Sequence, residues 1–131
     1  MKAFSDAVLA RDMDTVADLL ADDVRFISPI AFRPYEGKAV TAAILRGVLR
    51  VFTDFAYVRT FHSPDGMDHA LVFEAKIDQM LIQGCDFLHV DAQGRIDEFM
   101  VMVRPLSAAQ LLAAEMAAQF EQIQREVAAE S

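Results

Sequence analysis

The fold is decided by the stretch FAYVRTFHSPDGMDHALVFEAKIDQMLIQGCDFLHVDAQGRIDEFMVMVR, residues 55–104. Polar and apolar residues alternate along it with a period close to two, which is typical of strands with one buried face. Turn sequences occupy residues 63–66 and 91–94, and short connections of this kind favour antiparallel hairpins over parallel crossovers. The stretch therefore predicts four consecutive antiparallel strands, at residues 55–62, 69–77, 80–90 and 95–104.

The preceding residues show helical spacing of their apolar side chains. A short first helix carries one apolar stripe over residues 4–11, and Asp12 can cap a second helix whose stripe extends to Leu20. A strand-like run follows at residues 24–28. After a loop marked by two prolines, Gly37 opens a third amphipathic helix. The chain is thus predicted to place three helices and one strand before the main sheet.

The final helix has the clearest start signal. Ser107 and Gln110 match a capping box, and Leu106 and Leu111 hold the two positions of a hydrophobic staple. A long helix is therefore predicted over about residues 107–129. Its length exceeds what one small sheet needs as cover, so its overhang either packs on a second subunit or frays into water.

Together these elements predict an α+β fold in one domain, residues 1–131. The curved antiparallel sheet is expected to wrap around the N-terminal helices as a cone-shaped roll with an apolar interior. Gly84 lies inside a predicted strand, where a glycine marks a bulge or sharp bend. A concave apolar interior of this kind favours a small-molecule site.

Composition excludes several classes of protein. The 131 residues are 54% hydrophobic and carry a formal net charge of -8 with no basic cluster, which excludes a nucleic-acid or anionic-membrane surface. No run reaches the roughly 18 apolar residues of a membrane span. Cys85 is the only cysteine, so an intrachain disulfide is impossible. These features predict a cytoplasmic protein without nucleic-acid or membrane partners.

Asp86 is the candidate catalytic residue because its position is unusual for a carboxylate. Strand alternation places it on one face with Gly84 and Leu88. If that face is concave, desolvation raises the pKa of Asp86, and the protonated acid can donate a hydrogen bond to a ligand carbonyl or stabilise an enolate. The alternative is a structural carboxylate satisfied by backbone amides or by Arg95 or Arg104.

The remaining polar candidates carry weaker signals. No histidine lies at a spacing that would identify a catalytic triad with a serine. His62 and His69 flank a predicted turn and can approach one another, but they lack a carboxylate at ligand spacing. His89 lies on a different strand, with its side chain predicted on the face opposite Asp86. The sequence therefore predicts no metal and no cofactor.

The order of elements and several local motifs resemble the nuclear transport factor 2-like superfamily, which includes ketosteroid isomerases and SnoaL-like polyketide cyclases. The resemblance runs from about Phe4 to Leu106. It implies a cystatin-like roll, a SnoaL-like domain and a pocket inside the cone. The chain is further expected to form a homodimer. The motifs that carry the resemblance are Asp12-Met13-Asp14, Ala21-Asp22-Asp23-Val24, Pro29, Pro34, Gly37-Lys38-Ala39-Val40, Asp86-Phe87 and Gly94-Arg95-Ile96.

The resemblance also implies roles for single positions. The strand position of the protonated acid in ketosteroid isomerases matches Asp86. The general base of those enzymes falls on Ser28 and their phenolic donor near Phe4, and neither residue can supply that chemistry unaided. The acid that SnoaL-like cyclases keep on the last strand falls at Met100 or Val101.

Two functions follow as expectations. The first is binding of a small, mostly apolar ligand, with isomerase-, dehydratase- or cyclase-type proton transfer next to a carbonyl. The second is a non-catalytic dimeric binding or interaction module. A cavity that reaches Asp86 favours the first, and a solidly packed cone favours the second. The residues expected around the ligand, most of them by the family's strand parity, are Phe4, Phe26, Ser28, Ile44, Leu45, Leu71, Phe73, Leu88, Phe99 and Val101.

Overall fold

The structure, a computed structural model, describes the backbone of residues 1–130 and the side chains of residues 1–129. Helices lie at both ends of the chain and strands occupy its middle. The elements in chain order are α1 (Lys2–Leu9), α2 (Met13–Asp18), β1 (Leu20–Ile27), β2 (Tyr35–Glu36), α3 (Lys38–Val51), β3 (Thr53–His62), β4 (Asp68–Ile77), β5 (Met80–Val90), β6 (Ile96–Arg104), α4 (Leu106–Ala118) and α5 (Phe120–Glu130).

All six strands form one sheet in the order β2-β1-β6-β5-β4-β3. Strands β3 to β6 pair antiparallel with their chain neighbours, as the alternating stretch predicted. Strand β1 instead lies parallel to β6, with Phe26 opposite Phe99. The α+β class and the curved, cystatin-like sheet are therefore confirmed. The short strand β2 was not predicted, because two exposed residues carry no periodic signal.

The inner face of the sheet packs against the helices. In β4, Leu71, Phe73, Ala75 and Ile77 alternate inward and are buried. One buried cluster joins this face to α1, α2 and α3, and a second joins it to α4. The period-two pattern of the sequence thus marks the wall of the core.

The second helix is shorter than predicted. Asp12 caps it, since the backbone N–H of Thr15 donates to the Asp12 carboxylate at 3.2 Å. The helix ends at Asp18, however, and Leu20 belongs to β1 opposite Ile96. Leu20 is buried, so its apolar side chain suits the strand as well as it suits a helical stripe.

The C-terminal helix starts within one residue of the predicted position, but its predicted capping is wrong. Helix α4 begins at Leu106 behind Pro105, and no side chain caps it. The Leu106 side chain is 74% exposed, so it forms no hydrophobic staple. Proline cannot donate a backbone hydrogen bond, and its fixed φ suits the entry of a helix. The capping-box pattern at Ser107 is therefore not used.

The predicted single long helix is divided at Gln119. The Gln119 side chain donates to the carbonyl of Gly47 at 3.0 Å and accepts from Arg50 Nε at 2.7 Å, which ties the break to α3. Helix α5 then packs along α3. The predicted overhang is therefore covered within the same chain.

Gly84 allows the closest approach inside the sheet. A Cβ atom at this position would lie 2.3 Å from Phe73 Cζ and 2.8 Å from the carbonyl oxygen of Met102. Phe73 is the cross-strand partner of Gly84, so its ring lies on bare backbone. Glycine is therefore required here by space.

We expect Gly84→Ala to lower the free energy of unfolding by about 1–3 kcal/mol, because overpacking outweighs the smaller entropy gain from losing a glycine. Urea denaturation measures this value. Gln79→Ala, in the exposed turn before β5, is the control, with an expected change within about 0.5 kcal/mol. Equal stabilities of Gly84→Ala and wild type would contradict the close packing of Phe73.

Candidate functional site

A cavity of about 680 Å³ lies between the inner face of the sheet and the helices. It is lined mainly by aliphatic and aromatic side chains. Elements from both ends of the chain contribute, because α5 covers the side of the cavity next to α3. Nine residues expected at the site lie in its wall: Phe4, Phe26, Ser28, Ile44, Leu45, Phe73, Asp86, Phe99 and Val101.

Two other expected lining residues lie elsewhere. Leu71 and Leu88 have the predicted inward orientation, but both are buried in the core and neither is in the cavity wall. Leu71 lies directly opposite Asp86 on the neighbouring strand. Strand parity indicates which face of the sheet a side chain lies on. It does not indicate which inward-facing side chains border the cavity and which pack against other core residues.

Asp86 lies in the wall with only 7% of its surface exposed. Burial raises the pKa of its carboxyl group to about 7, and a hydrogen bond from Tyr57 partly opposes this rise. The Tyr57 hydroxyl donates to Asp86 Oδ2 at 3.3 Å. Among the described residues no arginine pairs with Asp86, and the Arg104 guanidinium donates instead to Gln83. The alternative of an arginine-paired structural carboxylate therefore has no support.

Tyr57 provides a phenol that the sequence analysis did not identify. It lies on the inner face of β3, edge-on to Phe55 at 5.0 Å between ring centroids. Burial and the negative charge of Asp86 raise the pKa of the Tyr57 hydroxyl, so it remains a donor. Its alternation with Phe55 was visible in the sequence. Its proximity to Asp86, two strands away, depends on the register of β3, β4 and β5.

Ser28 lies at the end of β1 and faces the cavity. Its Oγ accepts hydrogen bonds from the backbone N–H groups of Ile30 at 2.9 Å and Ala31 at 3.1 Å. These bonds fix the turn after β1 and occupy the lone pairs of the hydroxyl oxygen. Ser28 can still donate its own proton to a ligand, but it is poorly placed to accept one.

Polar groups are few in the cavity. Within the described part of the wall the polar side chains are those of Ser28, Tyr35, Tyr57, Asp86 and Gln124, and lysine, arginine and histidine are absent. The wall therefore offers no counter-charge to an anionic ligand. Its only readily ionised side chain is Asp86, which is half neutral near pH 7.

Helix α5 completes the cavity through charge pairs with α3. The Glu126 carboxylate lies 2.9 Å from Arg46 Nε and 3.0 Å from Arg50 Nη1. The inward face of α5 contributes Phe120, Ile123 and Val127 to the wall. The sequence analysis missed this contribution because the helix was expected to project beyond the sheet.

The family model of the SnoaL-like domain matches residues 1–99. With three quarters of its length matched, the chain belongs to the SnoaL-like family, and the resemblance to the nuclear transport factor 2-like superfamily is confirmed. No curated protein matches the chain. No helix in residues 1–130 combines the length and apolar character needed to cross a membrane.

Three solved structures show the same architecture. A Silicibacter pomeroyi DSS-3 protein with a cystatin-like fold is 31% identical, with a TM-score of 0.89 over 95% of this chain and 86% of that one. A steroid delta-isomerase from Pseudomonas aeruginosa is 39% identical, with a TM-score of 0.85 over 91% and 87%. The epoxide hydrolase/cyclase-like enzyme SalBIII of salinomycin pyran-ring formation is 15% identical, with a TM-score of 0.64 over 77% and 84%, and it shows only the fold.

The raised pKa of Asp86 makes stability depend on pH. Because the folded value of about 7 lies above the ordinary 3.8, the contribution of Asp86 is complete below pH 4 and is lost as pH rises through 7. We expect the unfolding free energy of wild type, relative to Asp86→Asn, to fall by up to about 4 kcal/mol between pH 4 and pH 8. Urea denaturation of both proteins across this range tests the expectation. A pH-independent difference would show that the carboxyl group titrates normally.

Proposed function

We propose that the protein binds a small, uncharged, mostly apolar ligand whose carbonyl group accepts a hydrogen bond from Asp86. One observation carries this proposal: a carboxyl group with a raised pKa, held by a phenol, faces an otherwise apolar cavity. The volume of about 680 Å³ falls within the range of roughly 300–1,000 Å³ usual for small-molecule pockets.

The hydrogen-bond directions support a donor role for Asp86. Its Oδ2 accepts from Tyr57, so the proton of the neutral acid is available on Oδ1 for a ligand acceptor. The chain from Tyr57 through Asp86 to the ligand would be cooperative, because each donor polarises the next. An acceptor that gains negative charge, such as an enolate oxygen, would be held more strongly than a ketone oxygen.

This arrangement suits proton transfer next to a carbonyl. A proton would leave the carbon beside the carbonyl, its bonding electrons would move to the oxygen as an enolate, and a proton would then return to a different carbon. The steroid delta-isomerase similarity at 39% identity supports an isomerase-type reaction, and dehydratase- or cyclase-type reactions share the enolate step. The chain's own contribution is polarisation of the carbonyl by Asp86.

A group that accepts the substrate's proton would distinguish an enzyme from a binding module. Within the described wall there is no second carboxylate and no imidazole, and the oxygen of Ser28 accepts two backbone amides. Abstraction of a proton therefore requires a basic group on the ligand or a water molecule. Binding without turnover is the second candidate function, and the missing base is the observation that favours it.

Binding can be tested with a fluorescent aryl ketone and the hydrocarbon that lacks its oxygen. We expect Asp86→Leu to weaken ketone binding by about tenfold, the equivalent of one hydrogen bond, and to leave hydrocarbon binding almost unchanged. Tyr57→Phe should weaken ketone binding less. Wild-type affinity for the ketone should fall as pH rises through 7, because the donor proton is lost.

The control is Gln79→Ala, in the exposed turn before β5 and outside the cavity wall. Native mass spectrometry and solvent extraction of the freshly purified proteins would then identify any natural ligand. Equal ketone affinity in wild type and Asp86→Leu would refute the proposed contact. Isomerisation of an added β,γ-unsaturated ketone that wild type accelerates and Asp86→Leu does not would favour the enzyme over the binding module.

We further propose that the protein is a homodimer through the outer face of its sheet. Two cross-strand rows on this face are apolar: Val72, Cys85 and Met102 in one and Ala70, Phe87 and Met100 in the next. The Met102 side chain is 53% exposed. An unpaired apolar face of this kind is typical of an interaction surface.

Charges beside these rows favour a second copy as the partner. The adjacent row runs from Glu74 on β4 through Gln83 to Arg104 on β6. A twofold axis parallel to β5 would place Glu74 of each chain near Arg104 of the other, so the row is complementary to itself.

Met102→Lys is expected to convert the dimer to a monomer, because it would bury an unpaired charge at the centre of the interface. Sedimentation velocity at several protein concentrations measures the change. The exposed Phe32→Lys, in the loop after β1, is the control and should leave the dimer intact. If wild-type protein sediments as a monomer at about 100 μM, the dissociation constant of any dimer lies above the micromolar range of ordinary complexes. That result would contradict the proposal.

A further inference from the structure

His62 and His69 face each other at the end of the β3–β4 hairpin, away from the cavity wall. They are direct cross-strand partners. Their Nδ1 atoms are 2.6 Å apart, and their ring centroids are separated by 4.8 Å in an edge-to-face arrangement. The two imidazoles therefore direct one nitrogen each toward a common point.

The tautomer of His69 is set by the turn between the strands. His69 Nε2 lies 2.9 Å from the carbonyl oxygen of Gly66, and a carbonyl oxygen can only accept. His69 Nε2 therefore donates, which leaves a lone pair on Nδ1 of the neutral ring.

Two ring nitrogens this close need a hydrogen atom or a metal ion between them. In the metal-free pair, the Nδ1–H of His62 donates to the lone pair of His69 Nδ1. A metal ion is the other species that two converging imidazole nitrogens accommodate. The bond from His69 to the Gly66 carbonyl is the outer-shell contact that metal-binding histidines use to fix ring orientation.

We propose that His62 and His69 form a two-histidine site for a late first-row divalent metal ion, with Cu²⁺ bound more tightly than Ni²⁺ or Zn²⁺. Imidazole suits these ions, and their affinities rise toward Cu²⁺. With metal–nitrogen bonds of about 2.0 Å, two neighbouring nitrogens would be roughly 2.9 Å apart on a square-planar Cu²⁺ and roughly 3.3 Å apart on a tetrahedral Zn²⁺. The pair must therefore open by less than 1 Å, and His62 is exposed and His69 half-buried.

The surroundings favour a cation with open coordination positions. A surface depression of about 340 Å³ adjoins the pair; it is bordered by the carboxylates of Asp68 and Glu98, of which Glu98 lies 3.8 Å from Arg25 Nη1, and by His89. No cluster of three or more potential ligands occurs among the described residues. Water or an external ligand would complete the coordination of an ion held by two histidines.

The test uses the full chain without a histidine tag, titrated separately with CuCl₂, NiCl₂ and ZnCl₂ in a buffer that does not coordinate metal. Calorimetry should give one Cu²⁺ site per chain in wild type. We expect His62→Ala and His69→Ala each to weaken Cu²⁺ binding by about tenfold or more, as loss of a ligand or its support does at metal sites. Gln79→Ala, in the exposed turn before β5 and outside this depression, is the control.

Paramagnetic broadening by Cu²⁺ gives a second measurement that does not depend on affinity. Amide signals of residues 61–63 and 68–70 should disappear first, while those of Asp78 and Gln79, in the turn at the opposite end of β4, persist. Unchanged melting temperatures of the metal-free variants would show that they fold. Equal Cu²⁺ affinity in wild type, His62→Ala and His69→Ala, or broadening centred on other residues, would overturn the proposal. Asp86→Asn should leave Cu²⁺ binding unchanged, so this test is independent of the ligand cavity.

Discussion

Burial of the Asp86 carboxyl group in an apolar wall is the constraint on which the chemistry of the cavity depends. An ionised carboxylate loses its hydration there, so the neutral acid is favoured and its pKa rises to about 7. The neutral acid needs a hydrogen-bonding partner to avoid the cost of a buried, unsatisfied oxygen, and Tyr57 supplies it. One polar pair in an apolar chamber can both bind and orient a carbonyl compound.

The cavity is bounded on one side by the closely packed sheet and on the other by helix α5. The Phe73 ring lies against the bare backbone of Gly84, next to Asp86 along β5. Opposite this wall, α5 is held on α3 by Glu126, Arg46 and the side chain of Gln119. The sheet and the C-terminal helix therefore form two sides of the same space, and changes in α5 can alter ligand binding without touching Asp86.

The site was partly predictable from the sequence. Asp86 stands out because a carboxylate interrupts an otherwise apolar strand face, and that signal is local. Tyr57 and α5 could not be assigned in the same way, since their contacts depend on strand register and on a helix break. Ser28 shows the opposite case, because a position implied by family resemblance has its hydroxyl oxygen occupied by the turn after β1.

By itself, the sequence determined the type and order of the main elements, because period-two and period-3.6 patterns are properties of short segments. It also determined which face of β5 carries Asp86. Only the tertiary structure decided that β1 runs parallel to β6, that the last helix bends at Gln119, and that a phenol from β3 reaches Asp86. These outcomes depend on contacts between residues far apart in the chain, and the free energy of such contacts is set when the elements pack together.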